Sequence, residues 1–316
     1  MSDLLSQAFA ADFQARAVMP ARELGAYEAL WGKAGTSFKT LAEMFRRHPG
    51  AVPSDFVPPS AAERYSRMAL GTIRAAGIEH FGIRVHGAGE YPEKLRDAQH
   101  PVELLYFQGH WDIARSRCVA IVGTRHPSAK GARRAEQLAR RFVADNFTVM
   151  SGLAQGIDTC AHRAAMEAGG RTVAVLGTPI TSCYPPENLQ LQRRIADEFL
   201  IISQVPIVRY SWQNPKGDRW FPERNVTMSA LTEATVIVEA GNMSGALIQA
   251  RHAVQQKRKL FILNNCFENP ELTWPSRYLE KGAIRVFDFD EIRAHLATAV
   301  GMRASPSCCR FMASIR

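Results

Sequence analysis

No apolar run in this chain approaches the roughly 18 to 20 residues that a membrane span requires. The opening, MSDLLSQAFAADFQAR, puts Asp3 where a secretory leader has a cation and contains no long apolar stretch. A cytoplasmic protein with no membrane partner is expected. The six cysteines, at 118, 160, 183, 266, 308 and 309, form no CxxC pair and no regular spacing, which argues against a disulfide framework or zinc site. Cys160 and His162 make an isolated C-x-H, read as a thiol beside a polar histidine. With 22 Gly and 17 Pro among 316 residues, neither is in excess, and collagen-like and low-complexity classes drop out. Catalytic signatures are missing as well. There is no GxxxxGK[ST], because Gly32-Lys33 is followed by Ala34, and no GxGxxG fingerprint. A nucleophile elbow, an HExxH and an Asp-rich metal cluster are equally absent. No cofactor and no metal is expected, and the chain reads as a binder rather than an enzyme.

What is present is positive charge and apolar mass. Lys and Arg number 39 against 30 Asp and Glu, a formal +9, which suits a polyanionic partner or serves solubility alone. A hydrophobic fraction of 46% allows one large core or two smaller ones. From Glu23 to Phe45 apolar residues recur at helical spacing, broken at Gly32 to Gly35, with Thr36 or Ser37 as an N-cap for the second helix. A Pro-rich stretch and a helix from about Ala61 to Ala76 follow. Residues 1–85 therefore read as a small helical N-terminal domain. After Cys118, short Val/Ile/Leu runs alternate with amphipathic stretches: Cys118–Val122, Thr148–Met150, Thr172–Leu176, Leu200–Ile202, Thr235–Val238, Leu260–Leu263 and Ile284–Phe287. That alternation predicts an α/β domain over 86–298, a doubly wound parallel sheet with its ligand crevice at the strand C-terminal ends. Residues 299–316, with Cys308 and Cys309, read as a tail.

The strand ends supply candidate walls. Gly123-Thr124-Arg125 leads through Ser128, a candidate N-cap, into a helix whose N-terminus favours an anion, and Arg125 adds a guanidinium fork. The loop from Ser151 and Gly152 through Ala154 to Gly156 bares backbone amides beside Asp158, placed to cap the helix carrying His162. Asp158 and His162 share a helix face at i, i+4, a spacing that can hold the histidine in one tautomer. A loop from Arg209 to Arg219, including Lys216, interleaves basic and aromatic residues. Phe221, Arg224 and Asn225 at a helix start combine a stacking ring with a phosphate contact, as single-stranded nucleic acid recognition requires. Ser244 and Gly245 complete the crevice.

The runs VAIVGTRHPS, SGLAQGIDTCAHRAAMEAGGRTVAVLGTPITSCYP, FPERN, VIVEA and SGALIQARHA resemble the DprA/Smf (DNA-processing protein A) family over about residues 90 to 290. The resemblance implies an extended Rossmann-like fold, a mostly parallel sheet, sequence-independent single-stranded DNA binding, a homodimer and delivery of the strand to a RecA-type recombinase. It places the DNA contacts on Gly123-Thr124-Arg125, Ser151–Gly156, a basic residue in 216–219, and Phe221 with Arg224 and Asn225. Departures fall around the crevice: Ser203-Gln204 for S-E, Val226 for the last Arg of F-P-x-R-N-R, Ala246 and Gln249 in the S-G-[ST]-L-x-T-A element, and Asn264-Asn265 for P-G. They keep a second reading open, a DprA-like antitoxin or anti-phage component that binds nucleic acid or a nucleotide and restrains a toxin partner. A third, an enzyme of nucleotide N-glycosidic bonds, lacks the P-G-G-x-G-T-x-x-E motif of such enzymes.

Overall fold

The structure is a computed structural model, which describes residues 17–212 and 220–301. Nine strands form one sheet in the order β1-β2-β6-β5-β4-β3-β7-β8-β9. The central strands are β3 (Cys118–Val122), β4 (Thr148–Ser151), β5 (Thr172–Leu176) and β7 (Ala234–Ile237), and each is buried along its whole length. Near-continuous β-branched runs are what a sheet covered on both faces needs. With β6 (Leu200–Ser203), β8 (Lys259–Leu263) and β9 (Ile284–Val286) they pair in parallel throughout. The predicted strands stand within a residue or so of these bounds. The two strands not predicted, β1 (Gly82–Val85) and β2 (Leu104–Gly109), add an antiparallel edge beside β6.

Strand order reverses at β3, whose two neighbours are β4 and β7, so the strand ends part there and leave a crevice. One face carries helices that pack on Val119, Ile121 and Phe261 of the sheet, with Ala135, Leu138 and Phe142 from the first crossover helix and Ile292 and Leu296 from the last. The other face is covered by the helices after β6 and β7 and by the N-terminal helices α1 (Pro20–Gly32), α2 (Phe38–Arg47) and α3 (Pro59–Ala75). Ser37 caps α2, accepting from Thr40 N at 3.2 Å.

The described N-terminal helices and the sheet share one contiguous core. Its joint is Glu28 on α1, fully buried, whose carboxylate accepts from the Tyr106 hydroxyl on β2 at 2.7 Å and from the amides of Ile207 at 2.7 Å and Val208 at 3.0 Å. Those amides open the next helix, α7 (Ile207–Trp212), where the sequence suggests a loop. Its Arg209 reaches back to the carbonyls of Trp31 and Thr36 at 2.9 and 3.0 Å and lies over the Trp31 ring, so it serves packing rather than an open basic-aromatic loop. Between Arg209 and that expectation stands an aromatic cluster of Trp31, Phe38 and Trp220 that the pattern does not disclose. Lys216 and Arg219 lie outside the described residues.

Candidate nucleic-acid interface

A cleft of about 540 Å³ opens where the strand order reverses, lined by the ends of β3, β4 and β7 and by the helix α8 (Trp220–Leu231). Gly123, Thr124, Arg125, Ala154, Phe221, Arg224, Asn225, Ser244 and Gly245 line it, while Arg209 lies elsewhere, against Trp31. Gly123 and Thr124 form its floor, Thr124 N donating to Glu239 O at 2.7 Å. Arg125 projects into solvent at the rim. Ser128 caps the helix α4 (Ala129–Ala144) as predicted, accepting from Gly131 N at 2.9 Å.

The anion at that helix N-terminus is the protein's own. Glu239, just after β7, accepts from Ser128 N at 3.0 Å and from Ser128 Oγ at 2.7 Å. An incoming phosphate at this turn therefore has Arg125 to meet, while the helix end is already neutralised.

The second loop is held rigidly from within. Ser151 is buried and donates to Ile121 O at 2.7 Å. Asp158 caps the loop and not the helix: it accepts from the amides of Gly152 at 3.1 Å and Ala154 at 3.4 Å. Burial raises the Asp158 pKa, opposed chiefly by Arg224 and these amides. The N-cap of α5 (Ile157–Glu167) is instead Gly156, at φ +77°, packed against the carbonyls of Thr124 and Arg125 so tightly that a Cβ would lie 2.5 Å from the first. His162 does not pair with Asp158. Its Nδ1 bonds Thr172 Oγ1 at 2.7 Å, and burial, aided by Arg224, lowers its pKa to about 3. The histidine is a neutral core residue.

Arg224 is buried behind the cleft, and it donates to the carbonyls of Gly152 and, at 2.9 Å, Val175, while Nε reaches Asn225 Oδ1 at 2.9 Å. It stitches the ends of β4 and β5 to α8. Burial lowers its pKa and Arg125 pushes the same way, against Asp158. Two guanidinium groups thus converge on one cleft whose nearest carboxylates, Asp158 and Glu239, both hold protein N–H groups. Asn225 reaches Gly245 O, bringing Ser244 and Gly245 to the opposite wall.

Phe221 follows Trp220 on the first turn of α8, so one residue is fixed in the N-terminal aromatic cluster and the next faces the cleft. Its ring lies against the backbone of Gly177 at the end of β5, where a Cβ would stand 2.4 Å from Cδ1. Tyr184, 49% exposed, sits beside it with ring centroids 5.3 Å apart. Gly177 and Tyr184 escape the sequence reading, although Tyr184 stands in the loop after a parallel strand, where the crevice rule points. Among the described residues no three His, Cys, Asp or Glu are placed to hold a metal ion, and no helix is long and apolar enough to cross a membrane.

A doubly wound sheet with a cationic, aromatic-walled switch-point cleft and no dinucleotide fingerprint defines a Rossmann-like protein with a candidate anion site. Residues 82–297 match the family DNA recombination-mediator protein A, and the chain belongs to that family. It is 36% identical over 212 residues to Protein Smf of Synechocystis, covering 66% of this chain but 52% of that relative. To the DNA processing protein DprA of Bacillus subtilis it is 31% identical over 225 residues, covering 71% of this chain and 73% of that one. The match thus spans about half the length of the Synechocystis relative. The crystal structure of DprA from Streptococcus pneumoniae superposes with a TM-score of 0.68 at 25% identity, over 86% of this chain and 97% of that one. The structure of DNA processing protein A from Helicobacter pylori, described with a single-stranded DNA binding mode, superposes with a TM-score of 0.59 at 25% identity, over 70% of this chain and 97% of that one.

Proposed function

We propose that the chain is a non-catalytic single-stranded DNA-binding protein that takes the strand across the cleft and passes it to a RecA-type recombinase as a cytoplasmic homodimer. The observation that carries the reading is the convergence of Arg125 and Arg224 beside the Phe221–Tyr184 pair. Arg125, exposed at the rim, contacts phosphate, and the paired rings offer a face on which any base can stack. Gly123, Thr124, Gly152, Ala154 and Gly156 give the backbone close approach, while Arg224, Ser151 and Asn225 hold that backbone in place. Ser244 and Gly245 are assigned to the rim, and Lys216 and Arg219, outside the described residues, are taken as DNA contacts on the family resemblance alone. Membership of the recombination-mediator family and the binding mode of the Helicobacter pylori relative support the assignment. The carboxylates at the cleft are engaged as hydrogen-bond acceptors, which favours binding over turnover.

Titrating oligo-dT at several salt concentrations tests this. Arg125→Ala should weaken binding and reduce the salt slope by about 0.7, one single-strand phosphate contact. Phe221→Ala should cost roughly 1 to 3 kcal/mol for a lost stack with the slope unchanged. Arg125→Ala binding as tightly as wild type, with the same salt dependence, would falsify the cleft as the DNA site.

A further inference from the structure

A second cavity, about 720 Å³, lies along the same edge of the sheet, past the ends of β8 and β9. It is bounded by α4 on one side and by the loops after those strands on the other. The cleft and this groove are neighbours: Asn265, at its floor, donates to Val238 O at 3.0 Å, and the following residue, Glu239, holds the start of α4.

The α4 wall is cationic. Its buried positions are Gly131, Ala135, Leu138, Ala139 and Phe142, which turns Arg134, Arg140 and Arg141 toward the groove. Arg134 has no carboxylate partner among the described residues. Arg140 and Arg141 pair with Glu167 and Asp290 at 2.7 and 2.9 Å, but all four side chains are about half exposed, so the pairs are weak and open to exchange. The two carboxylates in the lining are already engaged, Glu268 by Asn264 Nδ2 at 2.6 Å and Asp288 by Glu291 N at 3.1 Å.

The opposite wall offers a ring. Phe287 is 65% exposed, one of the most open large apolar side chains described. It is not loose, because the Arg285 guanidinium lies 5.1 Å from its centroid and 4.8 Å from that of Phe267. Asn264 fixes that guanidinium, accepting from Nε at 2.8 Å. A positioned, exposed aromatic opposite a row of arginines repeats the chemistry of the first cleft.

We infer that this groove is a second seat for the same DNA strand, with Arg134 on phosphate and Phe287 under a base. The inference rests on the proposed function and extends its path from the switch point to the far edge of the sheet. A strand long enough to cover both seats gains affinity that a strand filling only the cleft does not.

The experiment uses the full chain and two oligo-dT probes, one of about six nucleotides and one of about twenty, within and beyond ordinary single-strand site sizes. An Arg134→Gln, Phe287→Ala double variant should bind the long probe about fivefold or more weakly, with a salt slope shallower by about 0.7, and bind the short probe as wild type does. Its melting temperature and oligomeric state should not change, and Arg134→Lys should bind as wild type. Unchanged long-probe affinity overturns the second seat while leaving the cleft in place, provided Arg125→Ala still weakens both probes. A changed oligomeric state with unchanged affinity also overturns it and assigns the groove to a second copy of the chain. If the double variant melts lower, Arg134→Gln alone decides, and its matching Arg134→Lys on the long probe overturns the inference. Wild type binding neither probe removes the proposed function and this extension together.

Discussion

Replacing Glu28 by alanine strips three buried donors of their acceptor at once: the Tyr106 hydroxyl and the amides of Ile207 and Val208. The two amides open a helix, so no carbonyl one turn earlier can take them. A buried donor left unsatisfied costs about 1 to 3 kcal/mol. The carboxylate's own desolvation is relieved in the variant, so the low end of the three-donor sum, about 3 kcal/mol, is the expected loss. At about 2.1 cal/mol/K per residue over 316 residues, each kcal/mol moves the melting temperature by about 1.5 °C, so melting should fall by roughly 4 to 5 °C. Because α1 and the sheet share a core, the fall should appear in one cooperative transition, read by circular dichroism and by a denaturant midpoint. A chain divided near residue 85 into units that fold alone would instead lose its helices first and keep the sheet.

Glu28→Gln separates charge from contact. Burial raises the pKa of Glu28 in the folded state, so the folded protein holds that proton at pH values where the unfolded chain has released it. Stability from this group is present below the ordinary glutamate range and lost as pH rises through the folded value. Wild type should therefore decline relative to Glu28→Gln as pH climbs above about 4.3. An alanine variant with the wild-type midpoint, or a glutamine variant with the same pH profile as wild type, refutes the reasoning.

Two further outcomes concern the α/β part. His162 has a folded pKa lowered to about 3, so its stabilising effect is complete above about 6.5 and is lost as pH falls through that interval; His162→Gln should flatten the acid limb of a melting-temperature profile, and an unchanged limb would exclude the assignment. Gly177→Ala should push the Phe221 ring from its seat and weaken oligo-dT binding while Arg125-dependent salt sensitivity persists, since the new Cβ would overlap Cδ1 at 2.4 Å; full affinity would mean that the ring does not stack on DNA.

The parallel sheet was legible because its strands are short, β-branched and buried on both faces, and a crevice at their C-terminal ends followed from that fold class, while the strand order that locates it came only from the structure. Ser37 and Ser128 were legible as caps because capping is local. The antiparallel edge was not, since β1 alternates weakly and β2 draws its partners from distant β1 and β6. Asp158 was misplaced for a related reason: its position suits a helix cap, but the loop folds back and offers amides four and six residues upstream. The role of Arg224 is set by carbonyls far away in sequence, at Gly152 and Val175, which no spacing rule reaches. Tyr184 was visible as a residue and overlooked as the neighbour of the Phe221 ring, because the loop after β5 carries no charge to draw notice.

If the cleft takes the proposed strand, Glu239 at the start of α4 gives it a bias by polymer length. Free nucleotides concentrate two or three phosphates on one end, and their strongest natural seat in a doubly wound sheet is the open helix terminus after the first strand. Here a tethered carboxylate sits on that terminus, so a diphosphate must either displace it or lie beside its negative charge. A strand meets no such competition, because its charge is spread one phosphate per nucleotide and needs only rim cations such as Arg125. On the proposed function, the side chain that closes the turn would turn small anions away and leave the crevice to the polymer.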